Sequence, residues 1–361
     1  MEGDINFIME INLLEILKSA NERKASDIFI VAGLPLSLKI KGDITPVTDS
    51  KLTPDDTFKL IKEIYELAKN LNFELFIETG DADFSMSIRE IGRFRVNTYR
   101  QRGSLAAVLR IISFNLPDPD TLGIPKAVIE LYKKTKGLIL VTGPAGSGKS
   151  TTLSCIIDAI NKNREGHIMT LEDPIEFIHN HKTSIVSQRE IPSDSVNYLQ
   201  AIKSSLRQSP DVILIGEMRD IETVSIALTA AETGHLMLST LHTMGAASTI
   251  DRIIDIFPAS QQQQIKVQLS MTLQAVVSQQ ILPTVDKGLA AAFEVMINTT
   301  AISNMIREGK LHQINSTIHT SGDVGMQTMD SSLVSLVKKG AITKETAKIY
   351  SANPDIIERL L

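Results

Sequence analysis

The first 115 residues show hydrophobic patterns of both helices and strands. Apolar residues recur at helical spacing from Ile8 to Leu17, at positions 8, 11, 14 and 17, which predicts an N-terminal helix. A second helix is expected to begin at Pro54, with Thr53 as its N-cap, and to run to about Asn70. Later alternation predicts antiparallel strands, so we expect a small α/β unit. Its strand-like runs are 28–31, 36–40, 84–88, 93–99 and 105–112.

A proline-rich segment follows this unit. Residues 115–125 read Asn-Leu-Pro-Asp-Pro-Asp-Thr-Leu-Gly-Ile-Pro, and three prolines with one glycine fit neither a helix interior nor a central strand. We therefore place a linker at residues 116–124, between a first domain at 1–115 and a second at 125–361.

The second domain begins with short apolar runs that alternate with helical segments. This rhythm predicts a parallel sheet with helices on both faces. Beyond Gly245 the pattern predicts a mostly helical chain, in which Gln261–Gln264 form an exposed helix face. The predicted strands are 138–142, 168–171, 212–215 and 236–241, and the predicted helices are 149–163, 196–208 and 221–233.

A glycine-rich loop lies between the first of these strands and the first of these helices. In such a loop, backbone N–H groups cradle phosphate oxygens, Lys149 can reach the β- and γ-phosphates, and the Ser150 hydroxyl can ligate Mg²⁺. The following helix points its positive end at the same phosphates. The loop matches G-x-x-x-x-G-K-[ST] in full and continues with a threonine: Gly143, Pro144, Ala145, Gly146, Ser147, Gly148, Lys149, Ser150 and Thr151.

Acidic residues and a histidine follow neighbouring predicted strands. Glu217 comes after the run 212–215, with Gly216 where an aspartate often stands, and Glu172 closes the run 168–171. A P-loop enzyme needs a carboxylate at such a strand end, for Mg²⁺ or for the attacking water. His242 follows the run 236–241, where it could sense hydrolysis.

Arginines are the other requirement of phosphoryl transfer, and the first domain supplies five, at positions 93, 95, 100, 102 and 110. They could form a nucleic-acid surface, a solvated face or a source of arginine fingers. Alternation places Arg93 and Arg95 on one face of their strand.

The composition of the chain bears on the first of these three possibilities, a nucleic-acid surface. The chain carries 37 Lys+Arg against 42 Asp+Glu, no Trp and 4% aromatic residues, which argues against a nucleic-acid binder.

Its single cysteine, Cys155, excludes a four-cysteine zinc site and predicts a small buried side chain. The N-terminus lacks a basic segment before its apolar residues, and no apolar run reaches 18 residues, so we expect neither a secretory signal nor membrane insertion.

These motifs together resemble the secretion-ATPase superfamily, and within it the type IV pilus retraction (twitching-motility, PilT-like) ATPases. The C-terminal motif of retraction ATPases is matched at 301–308, except that Ser303 replaces an arginine and Met305 a leucine. Parts of the first domain, at 26–27, 32–35 and 92–97, are also similar. The matching boxes are Walker A at 143–151, the Asp box at 170–177, Walker B at 214–220 and the His box at 233–243.

The resemblance implies a PAS-like N-terminal α/β domain and a RecA-like P-loop NTPase domain with a helical C-terminal portion. It implies a cytoplasmic homo-hexamer that hydrolyses ATP with Mg²⁺ at the inner face of the cytoplasmic membrane, where an inner-membrane pilus platform protein is the partner. Glu217 and Glu172 would order Mg²⁺ and the attacking water. Arg95 and Arg110 match the family's arginine sensors.

Two other functions remain open on the sequence. A nucleotide-gated regulatory or scaffold protein would bind ATP but barely hydrolyse it. A RecA-like nucleic-acid motor would share the core fold, and its turnover would be stimulated by DNA or RNA.

Overall fold

The computed structural model describes residues 12–40, 42–69, 71–112 and 116–361. The chain divides into two units, residues 1–114 and 115–361. Ile8 and Ile11, which contribute to the prediction of the first helix, lie outside the described residues, as do Asn70 and Asn115. None of the helices in the described ranges is long and apolar enough to cross a membrane.

The first unit contains a six-stranded antiparallel sheet in the order β3-β2-β1-β6-β5-β4. Its helices and the sheet enclose a core rich in leucine, isoleucine and phenylalanine. The elements are α1 (Leu13–Glu22), β1 (Asp27–Ile30), β2 (Pro35–Ile40), β3 (Asp43–Lys51), α2 (Pro54–Ala68), α3 (Phe73–Thr79), β4 (Asp81–Ile88), β5 (Gly92–Gln101) and β6 (Ser104–Ile112).

Local sequence signals account for much of this unit. Helix α2 begins at Pro54 as predicted, because the Thr53 side chain accepts from the Asp56 N–H while the Asp56 carboxylate accepts from the Thr53 N–H. Strand β3 and helix α3 were not predicted from the sequence. Strand β3 lies at the sheet edge and is mostly exposed, so its sequence lacks the apolar alternation that marks a half-buried strand.

The second unit contains a seven-stranded sheet in the order β13-β12-β7-β11-β10-β8-β9. Every neighbouring pair is parallel except β12 with β13. Its first elements are α4 (Lys126–Ile129), β7 (Gly137–Thr142), α5 (Lys149–Asn163), β8 (His167–Glu172), β9 (Ile185–Glu190), α6 (Tyr198–Ser205), β10 (Val212–Ile215), α7 (Ile221–Glu232) and β11 (Leu236–Leu241).

The rest of this unit is mostly helical after Gly245, as predicted, but the prediction missed two strands. Two long strands lie there, and β12 pairs directly with β7. Polar residues such as Ser278 and Gln279 are buried in β12 and limit its apolar run to residues 275–277, so the strand carries only a short sequence signal. The elements are α8 (Ala246–Asp255), α9 (Ala259–Thr272), β12 (Leu273–Pro283), β13 (Leu289–Ile297), α10 (Thr300–Glu308), α11 (Ile314–Thr320), α12 (Met329–Lys338), α13 (Lys344–Tyr350) and α14 (Pro354–Leu360).

Separate cores pack against the two faces of the sheet, as the strand–helix rhythm predicts. One core includes residues of α6, α7, α8 and α9, and the other includes residues of α4 and α5 with the buried Cys155. The predicted helix 196–208 is shorter than expected. The side chain of Asn197 caps it by accepting from the Gln200 N–H, so the helix begins only at Tyr198.

A buried carboxylate on β13 joins the sheet to helix α8. Glu294 is 9% exposed, and its Oε1 accepts from the Ala246 N–H, at the start of α8, at 2.8 Å. Burial raises the pKa of Glu294, and the backbone N–H groups of Ala246 and Met329, the latter at the start of α12, act in the opposite direction. The carboxylate therefore satisfies an orphan donor at the N-terminus of α8.

Glu294→Ala should lower the free energy of unfolding by about 1–3 kcal/mol, because the Ala246 N–H loses its buried acceptor. Denaturant unfolding would measure the loss. Glu165→Ala is the matched control, since Glu165 is exposed in the loop after α5. Equal unfolding midpoints for the two variants would show that Glu294 does not hold α8.

Candidate functional site

The carboxyl ends of β7, β11, β10 and β8 meet at one edge of the second unit's sheet, because these strands pair in parallel as neighbours. Each strand is followed there by polar residues. The side chains surround a cavity of about 310 Å³ whose lining includes Lys149, Ser150, Glu172, Tyr198, Glu217 and His242.

The loop after β7 uses glycine at positions with positive φ, and at Gly143 no other residue would fit. Gly143 has φ 142°, and a Cβ there would lie 2.2 Å from the backbone oxygen of Gln279. Gly148 has φ 83° and immediately precedes α5. The Gln279 side-chain amide, on β12, donates to the Ser147 backbone oxygen. The neighbouring strand thus fixes the loop from outside.

Lys149 is the first residue of α5, and its ammonium group is folded back onto the loop. Nζ donates to the backbone oxygens of Gly143, at 2.9 Å, and Pro144, at 2.8 Å. Burial lowers the pKa of Lys149, which the charges of Glu176 and Glu217 partly oppose. A phosphate group would supply the buried ammonium with a full negative charge in place of two carbonyl dipoles.

Glu172 ends β8 as a partly buried carboxylate. Thr170 Oγ1 donates to Glu172 Oε1 at 2.6 Å, and Gln188 Nε2 on β9 donates to the same oxygen at 3.2 Å. Burial raises the pKa of Glu172 to about 7, although both hydrogen bonds act in the opposite direction. A carboxylate with a pKa near the working pH suits a general base.

Glu217 occupies a different environment at the same edge. Arg219 Nε lies 2.7 Å from Glu217 Oε1, and His242 Nε2 lies 3.5 Å from Glu217 Oε2. Two cationic or potentially cationic side chains therefore surround this carboxylate, whereas Glu172 lies among neutral donors and other acids. The structure gives the two predicted acids distinct surroundings.

The donor set fits Mg²⁺. No cluster of three or more His, Cys, Asp or Glu side chains that could hold a metal occurs within the described ranges. Mg²⁺ needs no such cluster, because it is usually bound by one or two carboxylates together with substrate phosphates and water. The Ser150 hydroxyl and the Glu217 carboxylate supply hard oxygen donors to one cavity.

A second cavity is lined in part by residues of the same glycine-rich loop. It measures about 350 Å³, its lining is mainly apolar, and it includes Gly148 and Thr151 from the loop with Ile124, Ile281 and Phe293. An apolar slot beside a phosphate site suits a flat heterocyclic base.

Arg95 and Arg110 lie in the first unit, opposite each other on β5 and β6. Both are held by carboxylates: Arg95 donates twice to Asp83, at 3.1 and 2.6 Å, and Arg110 Nε donates to the buried Asp27 at 3.0 Å. Directly paired residues of an antiparallel sheet share a face, so the two guanidinium groups lie on one side of it.

Sequence reasoning missed three residues that shape the site. Thr240 Oγ1 donates to the Gly216 backbone oxygen at 2.6 Å, which ties β11 to the segment before Glu217. Gln279 supports the loop from a strand that was not predicted, and Tyr198 lines the cavity from the start of α6. Thr240 lies within the His box, but its contact with Gly216 forms only in the folded sheet. Gln279 and Tyr198 lie outside every matching box, so no local motif could reveal them.

The model of one protein family, described as "Type II/IV secretion system protein", matches residues 3–349 of the chain. The chain belongs to this family. It is therefore a secretion-type ATPase, in agreement with the phosphate-binding loop and acids described above.

Two curated relatives and one solved structure show the likeness over nearly the whole chain. The type IV pilus retractation ATPase PilT of Pseudomonas aeruginosa is 43% identical over 344 residues, which cover 95% of this chain and 99% of that protein. The twitching motility protein of Neisseria gonorrhoeae is 39% identical, with coverage of 95% and 91%. A crystal structure of the pilus retraction motor PilT with bound ADP matches at a TM-score of 0.88 and 47% identity, covering 97% of this chain and 100% of that one.

Lys149→Ala should reduce ATP turnover by about 10²–10³-fold and weaken ADP binding, because the phosphates lose their buried cation. Steady-state ATPase assays and calorimetric ADP titration would measure the two effects. Lys203→Ala, an exposed lysine on α6, is the control and should leave both unchanged. Parental turnover in Lys149→Ala, with an intact fold, would contradict the site.

The raised pKa of Glu172 predicts a pH dependence. The carboxylate must be ionised to accept a proton, so kcat/KM for ATP should fall as the pH decreases through about 7. Thr170→Val removes a hydrogen bond that lowers this pKa, so the decline should begin at a higher pH in that variant. An identical pH profile in both proteins would contradict Glu172 as the base.

Proposed function

We propose that this protein is a hexameric, Mg²⁺-dependent ATPase motor that drives type IV pilus retraction and hence twitching motility. The observation that carries the proposal is the likeness to PilT over nearly the full length of both chains. The complete phosphate-binding loop and the two acids support an active motor rather than a nucleotide-binding scaffold. We further propose that the first unit is PAS-like, that the second is RecA-like, and that the ring works with an inner-membrane pilus platform protein at the cytoplasmic face.

In this proposal each side chain of the cavity has a separate task. Lys149 binds the β- and γ-phosphates, and the loop N–H groups from Gly143 to Thr151 surround them. Ser150 and Glu217 hold Mg²⁺, which neutralises phosphate charge when bound. Glu172 accepts a proton from the attacking water. Its raised pKa and its fixed Oε1 support this role.

His242 links nucleotide state to the rest of the second unit in this proposal. Its Nε2 faces Glu217, and it directly follows β11, whose continuation passes through Gly245 to α8. A change of charge at Glu217 would therefore alter its electrostatic interaction with His242, which lies at the start of the loop that leads to α8. Glu294 accepts from the Ala246 N–H at the start of that helix and so joins α8 to β13.

Arg95 and Arg110 would neutralise charge that develops on the γ-phosphoryl oxygens. Their carboxylate partners hold both guanidinium groups in one orientation on one sheet face. Because they belong to the first unit, hydrolysis would require that unit to approach a nucleotide, which is how turnover would become motion.

Arg95→Ala or Arg110→Ala should decrease kcat by about 10³-fold or more while changing ATP affinity much less, since an arginine finger acts in the transition state. Arg89→Ala is the control, because Arg89 lies in a turn of the same unit with a 94% exposed side chain. Similar kcat values for all three variants would contradict the role of Arg95 and Arg110 as arginine fingers. The two residues would then only form a solvent-exposed face.

Deletion of the gene in the native host tests the retraction proposal. We expect the deletion strain to keep surface pili but to lose twitching, and a copy carrying Glu217→Gln to fail to restore it. Loss of surface pili would instead indicate a role in pilus extension. Light-scattering mass with a non-hydrolysable ATP analogue tests the hexamer separately, and a monomer or dimer would contradict it.

A further inference from the structure

Tyr198 brings a phenol hydroxyl into the ATPase cavity. It is the first residue of α6 and lines the cavity together with Glu172 and Glu217. A Cβ placed on Gly216 would lie 2.6 Å from the Tyr198 hydroxyl oxygen, so the hydroxyl rests directly against the backbone of that glycine. Gly216 thus leaves the space that the hydroxyl occupies.

Two hydrogen bonds fix the backbone of Gly216, one through its N–H and one through its carbonyl oxygen. The Gly216 N–H donates to the Leu171 backbone oxygen at 2.8 Å, and the Gly216 oxygen accepts from Thr240 Oγ1 at 2.6 Å. These bonds connect the end of β10 to β8 and β11. The Tyr198 hydroxyl is therefore placed by three neighbouring strands.

In the part of the chain that the structure describes, this hydroxyl has no hydrogen-bond partner, although the cavity lining includes it. Three of its charged neighbours, Asp173, Glu217 and Glu172, are acidic, and the fourth is Arg219. Burial and the nearby charges of Asp173, Glu217 and Glu172 all raise the pKa of Tyr198, so the phenol stays protonated at neutral pH. The hydroxyl is therefore available to a molecule that enters the cavity.

The surrounding acids decide which partner fits. A phosphate oxygen beside Glu172, Asp173 and Glu217 would experience like-charge repulsion, whereas water is neutral and can donate to a carboxylate and to a phenol oxygen at once. The basic wall of the cavity, with Lys149, is the place for phosphate.

We propose that Tyr198 positions the attacking water in ATP hydrolysis, by accepting one of its hydrogens while Glu172 accepts the other. This inference rests on the proposed role of Glu172 as the base. With both hydrogens engaged, a lone pair of the water is free to point at the γ-phosphorus.

In the hydrolysis step, one bond to the γ-phosphorus forms and another breaks. The water oxygen forms a bond to the γ-phosphorus, and its proton passes to the Glu172 carboxylate. The bond from the γ-phosphorus to the β–γ bridging oxygen breaks, and its electron pair leaves with ADP. Tyr198 keeps its own proton throughout and acts only through orientation.

Tyr198→Phe in the full-length protein tests the proposal, because it removes the hydroxyl and keeps the ring. We expect kcat to fall roughly tenfold, the worth of one hydrogen bond, with KM for ATP and ADP affinity unchanged. Tyr132→Phe makes the same chemical change in the second unit away from this cavity and should leave kcat at the parental value.

An unchanged kcat in Tyr198→Phe would overturn the inference, and so would a kcat loss matched by weaker ADP binding, which would indicate a structural role. This outcome is separate from a failure of the proposed site. If Lys149→Ala abolishes turnover while Tyr198→Phe keeps the parental kcat, the proposed site stands and only the role of Tyr198 is refuted.

The glycine provides a second, independent test. In Gly216→Ala the new Cβ would displace the hydroxyl, so we expect a kcat loss comparable to that of Tyr198→Phe. The double variant should lose no more than Tyr198→Phe alone, because its ring has no hydroxyl to displace. Losses that multiply in the double variant would contradict the proposal.

Discussion

The parallel pairing of β7, β11, β10 and β8 is the constraint on which the site depends. Parallel strands end at the same edge of a sheet, so residues far apart in sequence arrive at one place without local contacts to bring them there. The loop after β7 provides backbone donors and Lys149, and the next strands provide acids and a histidine. Slipping any one strand by a residue would turn its side chains to the opposite face and separate these groups.

Two carboxylates at this edge differ because their surroundings differ. Glu172 is enclosed and receives hydrogen bonds from Thr170 and Gln188, whereas Glu217 faces Arg219 and His242. The raised pKa of Glu172 suits proton transfer, and the position of Glu217 in one cavity with Ser150 suits binding of a metal ion. The division of labour that we propose follows from burial and neighbouring charge, since both groups have the same chemistry.

The sequence reveals those parts of the fold that local rules determine. The phosphate-binding loop, the helix that starts at Lys149 and the apolar central strands all carry their own signals. Strand β12 carries only a short signal, because its apolar run at 275–277 is followed by the polar residues Ser278 and Gln279, which are buried beside β7 and the loop. Tyr198 was missed for the same reason: its significance comes from Gly216, which lies near it only after the sheet has formed.

The most direct test of this account is a structure of the full-length protein with Mg²⁺, ADP and a planar γ-phosphate mimic. The account predicts that the mimic contacts Lys149 and that a water opposite the ADP leaving oxygen lies within about 3 Å of a Glu172 carboxylate oxygen. A mimic that contacts Lys149 while its axial water lies beyond hydrogen-bond reach of Glu172 would contradict the central claim that these strand ends assemble the hydrolytic site.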